Sequence, residues 1–246
     1  MTNDRRALGS TLNSSVAGQL RQISTATLSM VLIKRGVRTS WLGGPSPLVP
    51  MSERIVGPAF TIRFVPGRED LSSPESYARS PSFRDAIEAA PAGSVVVIDG
   101  RGNTLGATLG DILVARLAMK GVLAAVTDAP VRDADEIRKL ELPVLCAGVA
   151  APPSIVGLCF AGYDEIVGCG GVAICPRDVM VCDNDGALVI PASMAAEVAE
   201  AGLEQERFER FVQRRIRAGA SVVGLYPPNE QALEDYRRWL EAGEPA

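Results

Sequence analysis

The middle of the chain alternates short, continuously apolar stretches with amphipathic ones. Apolar runs over residues 94–99, 121–127 and 143–147 predict buried strands, and residues 109–120 and 133–140 have the spacing of helices. Continuous apolar strands separated by helices are typical of a sheet that is covered on both faces. The pattern predicts an α/β fold with a parallel βαβ core.

The chain on either side of this core has a different pattern. Residues 14–35 predict one amphipathic helix, residues 55–64 a strand, and the polar segment 65–82 leads into a short helix over 83–90. Short strands and then two helices follow the core, at residues 155–160, 165–175, 179–182, 187–190, 192–217 and 229–242. We expect a layered fold with a β-rich second half.

The domain organisation follows from this order of elements. We expect a single domain over residues 1–246, with a core at about 15–220 and a C-terminal helix over 229–242.

Two scarce residue types narrow the chemistry. The 246-residue chain has no histidine, which excludes Ser-His-Asp and Cys-His triads and removes the commonest metal ligand. Lys34 and Lys120 precede glycines that end helices, and Lys139 lies in a charged stretch, so none is placed to form a Schiff base. We expect a carboxylate, a tyrosine, a cysteine or a metal-bound water as the general base. A metal held through oxygen ligands would be a hard ion such as Mg²⁺ or Mn²⁺.

Composition excludes several other classes. Hydrophobic residues make up 47% of the chain, charged residues 22%, and the net charge of −4 comes without a basic run, which does not favour nucleic-acid binding. The chain has no apolar stretch of membrane-spanning length, and its start lacks the apolar core of a secretory signal, so we expect a cytoplasmic protein.

The cysteines have no C-x-x-C spacing and lie among apolar or glycine neighbours, which predicts buried, reduced thiols at Cys146, Cys159, Cys169, Cys175 and Cys182.

The loops that follow the first two central strands carry the best candidate chemistry. One loop ends in Gly110 and Asp111 at a helix start, and the other ends in Arg132 and Asp133. Because adjacent parallel strands present adjacent loops, we expect these residues to converge at one edge of the sheet. A carboxylate can hold a cation, while a guanidinium and a helix N-terminus favour a substrate carboxylate or an oxyanion. A metal bridging the two oxygens of a 2-oxo acid would stabilise the enolate left when a carbon–carbon bond breaks.

Simpler interpretations compete with this one. Thr108-x-x-Asp111 and Asp133-x-x-Glu136 both have the form of a capping box, and by spacing alone each acid is more typical of a cap than of a catalytic group. The glycines at 100, 102 and 106 imitate a dinucleotide fingerprint, but the helix begins too late for one.

Two glutamates on the long helix also have ordinary interpretations. Glu206 is four residues before Arg210, which is typical of a surface ion pair. Glu209 has the pattern of a solvated carboxylate, although it could also face the site of a neighbouring subunit.

The chain resembles the RraA-like family, which includes the 4-hydroxy-4-methyl-2-oxoglutarate/4-carboxy-4-hydroxy-2-oxoadipate aldolases. The matching segments are IVGPAFTIR, GSVVVIDG, GATLGD, GVLAAVTDAPVRD, LPVLCAG and DNDGALVIP, of which the GD…VRD pairing is the most specific. The resemblance implies a β/β/α sandwich that assembles as a trimer or hexamer, with active sites between subunits.

The resemblance also implies roles for individual residues. Asp133 would bind Mg²⁺ or Mn²⁺, and Arg132 would contact the keto or enolate oxygen. The backbone amides of Gly110, Asp111, Ile112 and Leu113 would hold the substrate carboxylate. Asp111 would hold a proton-relaying water together with a glutamate of the neighbouring subunit, for which Glu209 is the best match and Glu206 the second choice.

The implied activity is that of a class II-type aldolase or decarboxylase that releases pyruvate from a small 4-hydroxy-2-oxo acid, with oxaloacetate decarboxylation as a side activity. The same family includes regulators that bind and inhibit a ribonuclease, in which the metal-binding acid is lost. Asp133 is retained here, which favours an enzyme.

Two segments that flank the expected pocket depart from the aldolases: Ala129-Pro130, and the long stretch 65–82. The identity of the substrate is therefore open.

Overall fold

The computed structural model describes residues 12–78 and 80–244. Its helices are α1 (Ser14–Leu20), α2 (Thr25–Lys34), α3 (Phe83–Ala89), α4 (Asp111–Met119), α5 (Ala134–Ile137), α6 (Ala195–Arg217) and α7 (Glu230–Glu241). Its strands are β1 (Ser46–Pro47), β2 (Ile55–Pro66), β3 (Val95–Asp99), β4 (Ala124–Thr127), β5 (Val144–Cys146), β6 (Leu158–Tyr163), β7 (Val167–Cys169), β8 (Val172–Ile174), β9 (Val179–Asp183) and β10 (Gly186–Ile190).

One large mixed sheet organises the chain. Its strand order is β1-β5-β4-β3-β2-β9-β10, and β6 pairs with β2 as well. The strands β2, β3, β4 and β5 run parallel to one another, which confirms the predicted parallel core, while β1, β6 and β9 pair with its outer strands in the antiparallel direction. Trp41 bridges to Leu188 of β10 shortly before β1 begins, so the sheet nearly closes on itself.

Three layers of apolar side chains cover the sheet, which confirms the predicted layered α/β architecture. Helices α3, α4 and α5 pack on one part of it through residues such as Ile87, Leu117 and Ile137. Helices α1, α2 and α6 pack on β9 and β10, and the β7–β8 hairpin packs on β3 and β4. β3 and β4 are buried along their whole length, which agrees with their almost continuously apolar sequences.

The predicted helix over residues 14–35 is in fact two helices. The chain breaks at Ser24, whose hydroxyl accepts a hydrogen bond from the Thr27 N–H and so caps the start of α2. The Ser24 N–H donates to the Glu206 carboxylate at 2.9 Å. These two polar contacts make a new helix start more favourable than continuation of α1.

Three other predicted elements differ in extent. Residues 165–175 form the β7–β8 hairpin and not one strand, because Gly170 and Gly171 have φ of +58° and +78° and reverse the chain. A short 3-10 turn over Ser154–Val156 occupies the start of the strand predicted at 155–160. The helix predicted over 133–140 is the single turn of α5.

The C-terminal part of the chain has its own apolar cluster. Helix α7 packs against the end of α6 through Phe208, Phe211, Tyr236 and Trp239, whose rings contact one another at centroid distances of 5.2–6.3 Å. None of the helices in residues 12–78 and 80–244 is long and apolar enough to cross a membrane.

The cysteines are all free thiols, but not all are buried. Cys146, Cys169 and Cys182 are buried, and burial raises the pKa of Cys182 to about 12. Cys159 is half-buried and Cys175 is exposed, so the prediction of burial was wrong for Cys175. Cys175 lies just beyond β8, in the turn toward β9.

Candidate active site

Two loops meet beyond the carboxyl ends of β3 and β4, as expected for adjacent parallel strands. The ladder continues past the strands, because the Thr108 N–H donates to the Pro130 carbonyl and the Arg132 N–H donates to the Leu109 carbonyl, both at 2.9 Å. Val131 pairs in the same way with Val149 in the loop that follows β5. These backbone bonds fix the position of Arg132 relative to the start of α4.

Arg132 and Asp133 form an ion pair at this edge. The Arg132 Nε donates to Oδ2 of Asp133 at 3.0 Å, and both side chains remain about two-fifths exposed. Asp133 has φ 56° and ψ 39°, in the left-handed region that side chains other than glycine rarely adopt. Arg101, Asp164, Arg177 and Glu244 also have positive φ, so this conformation marks a candidate site only together with the ion pair to Arg132.

The N-terminus of α4 lies directly against this pair. Gly110 precedes the helix, and a Cβ atom added to it would come within 2.8 Å of Asp133 Oδ2 and 3.3 Å of Arg132 Cγ. A side chain at this position would therefore displace the Asp133 carboxylate from its present place. Since the first backbone N–H groups of a helix have no partner within the helix, residues 111–113 present donors suited to an anion.

Neither acid acts as a helix cap. No side chain caps α4 or α5, and the Thr108 hydroxyl is 3.1 Å from that of Thr127 instead. The capping interpretation of Asp111 and Asp133 was therefore wrong. Asp133 does not cap α5 because its backbone is left-handed, whereas a residue that caps a helix through its side chain typically has extended backbone.

A cavity of about 460 Å³ brings most of the predicted residues together. Gly110, Asp111, Ile112, Leu113, Arg132 and Asp133 all line it. Phe83, Arg84, Pro153 and Ser154 also line it, and the sequence patterns did not predict them there. Their only sequence signal was proximity to the 65–82 segment and to the turn after Pro152.

Asp128 is a further residue for which the sequence predicted no role at the site. Its buried carboxylate accepts hydrogen bonds from the N–H groups of Gly100 at 2.7 Å, Gly102 at 3.1 Å and Gly170 at 3.0 Å. Burial raises the pKa of Asp128, and these three donors only partly oppose that effect. The amides of Gly100 and Gly102 are thus taken up by Asp128, which argues against a pyrophosphate site in this loop.

Glu209 and Glu206 lie on α6, on the layer that covers β9 and β10, and neither lines the Arg132–Asp133 cavity. Glu209 accepts hydrogen bonds from Gln205 at 2.8 Å and from the Tyr226 hydroxyl at 3.0 Å, so its interpretation as a solvated carboxylate was wrong. The surface ion pair expected for Glu206 was also wrong, because this carboxylate binds the Ser24 N–H, while Arg210 pairs with Glu244 at 3.4 Å.

The donor set around Asp133 suits one kind of metal. Within residues 12–78 and 80–244, no three histidine, cysteine, aspartate or glutamate side chains are grouped closely enough to hold an ion. The described residues therefore do not form a metal site in which protein side chains supply all of the ligands. Mg²⁺ commonly uses one or two carboxylates and completes its shell with water and substrate, which the partly exposed Asp133 fits.

Comparison with known proteins identifies the family. The family model RraA-like, described as Aldolase/RraA, matches residues 25–189. The chain belongs to the RraA-like family. The crystal structure of Streptomyces coelicolor RraAS2, described as an unusual member of the RNase ES inhibitor RraA protein family, superposes with a TM-score of 0.74 at 32% identity. That match covers 83% of this chain and 98% of RraAS2.

Two further relatives differ in name and in the share of their own length that is matched. A Halalkalibacterium halodurans protein named "Putative 4-hydroxy-4-methyl-2-oxoglutarate aldolase" is 27% identical over 74% of this chain and 81% of its own length. Protein DlpA of Legionella pneumophila is 29% identical over 90% of this chain, but the match spans only 34% of DlpA.

Proposed function

We propose that this RraA-like protein is a divalent-metal-dependent carbon–carbon lyase that releases pyruvate from a small 4-hydroxy-2-oxo acid. The observation that carries the proposal is the strained Asp133, ion-paired with Arg132 and held against the start of α4 in one cavity. The absence of histidine and the position of the lysines leave few other ways to stabilise a carbanion.

In this proposal, the groups that line the cavity have separate roles in the reaction. The backbone N–H groups of Gly110, Asp111, Ile112 and Leu113 hold the substrate carboxylate, and the Arg132 guanidinium holds the 2-oxo oxygen. The 4-hydroxyl loses its proton and becomes an aldehyde or ketone as the C3–C4 bond breaks. The electron pair of that bond passes to C3, which then takes up a proton to give pyruvate.

Asp133 would hold the Mg²⁺ or Mn²⁺ ion. When bound, a hard cation supplies Lewis-acid stabilisation of negative charge on the substrate oxygens. Arg132 keeps the Asp133 carboxylate oriented through the 3.0 Å hydrogen bond.

A neighbouring subunit would complete the site. Asp111 would hold the proton-relaying water together with a glutamate of the next subunit. Glu209 is the first candidate for this glutamate, and Glu206 is the second. Both glutamates lie away from the Arg132–Asp133 cavity of their own chain, which supports a contribution in trans within a homotrimer or homohexamer.

Asp133→Ala tests the proposed reaction. We expect wild-type protein to release pyruvate from 4-hydroxy-4-methyl-2-oxoglutarate or a related acid with Mg²⁺ or Mn²⁺, and the variant to lose at least about 100-fold in kcat/KM. Asp135→Ala is the matched control, because that neighbouring acid is 92% exposed and pairs only with Arg138 among the contacts of the described chain. Activity that survives a chelator, or that survives in Asp133→Ala, would show that the metal mechanism is wrong. Oxaloacetate, assayed with the same variants, tests the expected decarboxylase side activity.

A regulatory binding protein is the second candidate, and the similarity to RraAS2 favours it. This alternative predicts stable binding to a ribonuclease and no turnover of any 2-oxo acid. A rise in Tm with oxalate and Mg²⁺ that disappears in Arg132→Ala would count against it.

A further inference from the structure

Hydrogen-bond donors from three elements of the fold hold the Glu209 carboxylate. Its Oε1 accepts from Gln205 Nε2 at 2.8 Å and from the Tyr226 hydroxyl at 3.0 Å, and its Oε2 accepts from the Thr27 hydroxyl at 3.4 Å. Gln205 lies on α6 like Glu209 itself, Thr27 lies on α2, and Tyr226 lies in the segment between α6 and α7. A glutamate side chain has many rotamers, so contacts from separate elements are what restrict it to one direction.

All three of these donors are neutral groups. The contacts of Glu209 within residues 12–78 and 80–244 include no ion pair, although Glu204 on the same helix pairs with Arg207 at 3.0 Å. Neutral donors orient a carboxylate without placing a positive charge beside it. The carboxylate of Glu209 is therefore oriented by its own chain but is not neutralised by it.

The two oxygens of Glu209 differ in their remaining capacity to accept hydrogen bonds. A carboxylate has about four acceptor positions, two on each oxygen. Gln205 and Tyr226 occupy both positions of Oε1, whereas Oε2 has only the long contact with Thr27. A water shared with Asp111 would therefore bind at Oε2.

The Tyr226 side chain is itself held in place. Its ring stacks on that of Phe208, with centroids 6.4 Å apart and an interplanar angle of 19°. Phe208 is buried and packs edge-on against Tyr236 at 5.2 Å. Burial and the Glu209 carboxylate both raise the pKa of Tyr226, so its hydroxyl stays protonated near neutral pH and can donate.

We propose that Tyr226 is a positioning residue, which holds the Glu209 carboxylate so that Oε2 binds the proton-relaying water. The inference rests on the proposed function, in which Glu209 acts at the site of a neighbouring subunit. Tyr226 does not touch the substrate in this arrangement and acts through Glu209. It lies beyond residues 25–189, the part of the chain that matches the family model.

Tyr226→Phe tests this role, because it removes the hydroxyl and keeps the ring that stacks on Phe208. We expect kcat for pyruvate release to fall about tenfold, the effect of losing one hydrogen bond to a charged group. The KM should stay within about twofold of wild type, since no substrate contact is lost. Exchange of the pyruvate methyl hydrogens in D₂O with Mg²⁺, followed by NMR, reports the proton transfer without bond cleavage and should slow by a similar factor.

Tyr236→Phe is the matched control. The Tyr236 hydroxyl donates to Glu204 Oε1 at 2.8 Å, and its ring belongs to the same aromatic cluster as Phe208. Both variants thus lose one tyrosine–glutamate hydrogen bond on α6, and a general loosening of this region would affect both. We expect Tyr236→Phe to keep the wild-type kcat and the wild-type rate of exchange.

Gln205→Met offers a second variant, should Tyr226→Phe fail to fold. It removes the other donor to Glu209 Oε1 with little change in side-chain size, and it should also lower kcat while leaving KM unchanged.

Three outcomes would overturn the inference, and they differ in what they say of the lyase proposal. If wild type is active and Tyr226→Phe matches Tyr236→Phe, the inference alone is wrong. If Glu209→Gln keeps the wild-type rate of exchange, Tyr226 has no catalytic carboxylate to orient, and Glu206 becomes the candidate for the lyase. If the wild-type protein neither releases pyruvate from any 2-oxo acid nor exchanges the pyruvate methyl hydrogens, the lyase proposal is wrong as well.

Discussion

Asp133 combines an unfavourable backbone with a functional position. Its left-handed φ of 56° aims the carboxylate at Arg132 and Gly110 and prevents it from capping α5. Glycine would adopt this conformation without a steric penalty, whereas aspartate adopts it at a modest cost. The contact of its carboxylate with Arg132, next to Gly110, is what distinguishes Asp133 from the other residues with positive φ.

Asp133→Gly and Asp133→Ala should separate stability from function. Both variants remove the carboxylate and should be inactive, but only glycine relieves the left-handed strain. We expect the glycine variant to be more stable than the alanine variant by about 1 kcal/mol in the free energy of unfolding. Urea denaturation of the two variants measures this difference directly. Equal stabilities would show that the backbone at this position relaxes when the carboxylate is removed.

The sequence predicted which residues meet at the site, but it did not predict their backbone conformation or their hydrogen bonds. Gly110, Asp111, Arg132 and Asp133 follow predictable strands, so their convergence was predictable. The backbone of Asp133 was not, because D-x-x-E before a helix usually indicates an ordinary cap. The contribution of Ser154 depends on long-range packing that no local pattern encodes.

At the scale of elements, Asp128 joins three segments that are distant in sequence. Its carboxylate holds the loop after β3 through Gly100 and Gly102, and the β7–β8 hairpin through Gly170. The loop after β3 then leads to Gly110 and α4. Asp128 thus couples the position of the hairpin to that of the candidate site.

Asp128→Asn should weaken this connection. An amide can accept through one atom only, so it leaves N–H groups of the loop and hairpin facing an N–H₂ group. We expect a loss of about 1–3 kcal/mol in the free energy of unfolding, from buried donors that lose their acceptor. Chemical denaturation measures it, with Asp185→Asn in the exposed β9–β10 turn as the control. A loss no larger than that of the control would contradict the role assigned to Asp128.

The parallel core was predictable at this scale because it depends on local periodicity, whereas two other features were not. Ser24 breaks the first helix through a contact with Glu206, which is 182 residues away in sequence. The β7–β8 hairpin depends on two consecutive glycines with positive φ inside a stretch that has the composition of a strand. Neither signal stands out from its surroundings in a single sequence.

At the scale of the whole molecule, the predicted site residues fall into two groups. Arg132 and Asp133 lie beside α4, while Glu209 lies on α6 and binds Gln205 and Tyr226. No sequence pattern reports which surfaces of two copies meet. A shared site therefore has to be tested by separating the two groups onto different subunits.

Mixing two inactive variants makes this separation. In an oligomer with shared sites, Asp133→Ala subunits supply an intact Glu209 and Glu209→Gln subunits supply an intact Asp133. After equimolar mixing with subunit exchange, about a quarter of the sites should have both groups intact, and pyruvate release should recover to about that fraction of wild type. Mixing Asp133→Ala with Arg132→Ala is the control, because both changes affect the same half of every site and no activity should return. If Glu206→Gln complements Asp133→Ala and Glu209→Gln does not, Glu206 is the residue contributed in trans. If subunits exchange and neither mixture exceeds the control, neither glutamate is contributed in trans, and the proposed sharing of Glu209 or Glu206 between subunits is wrong.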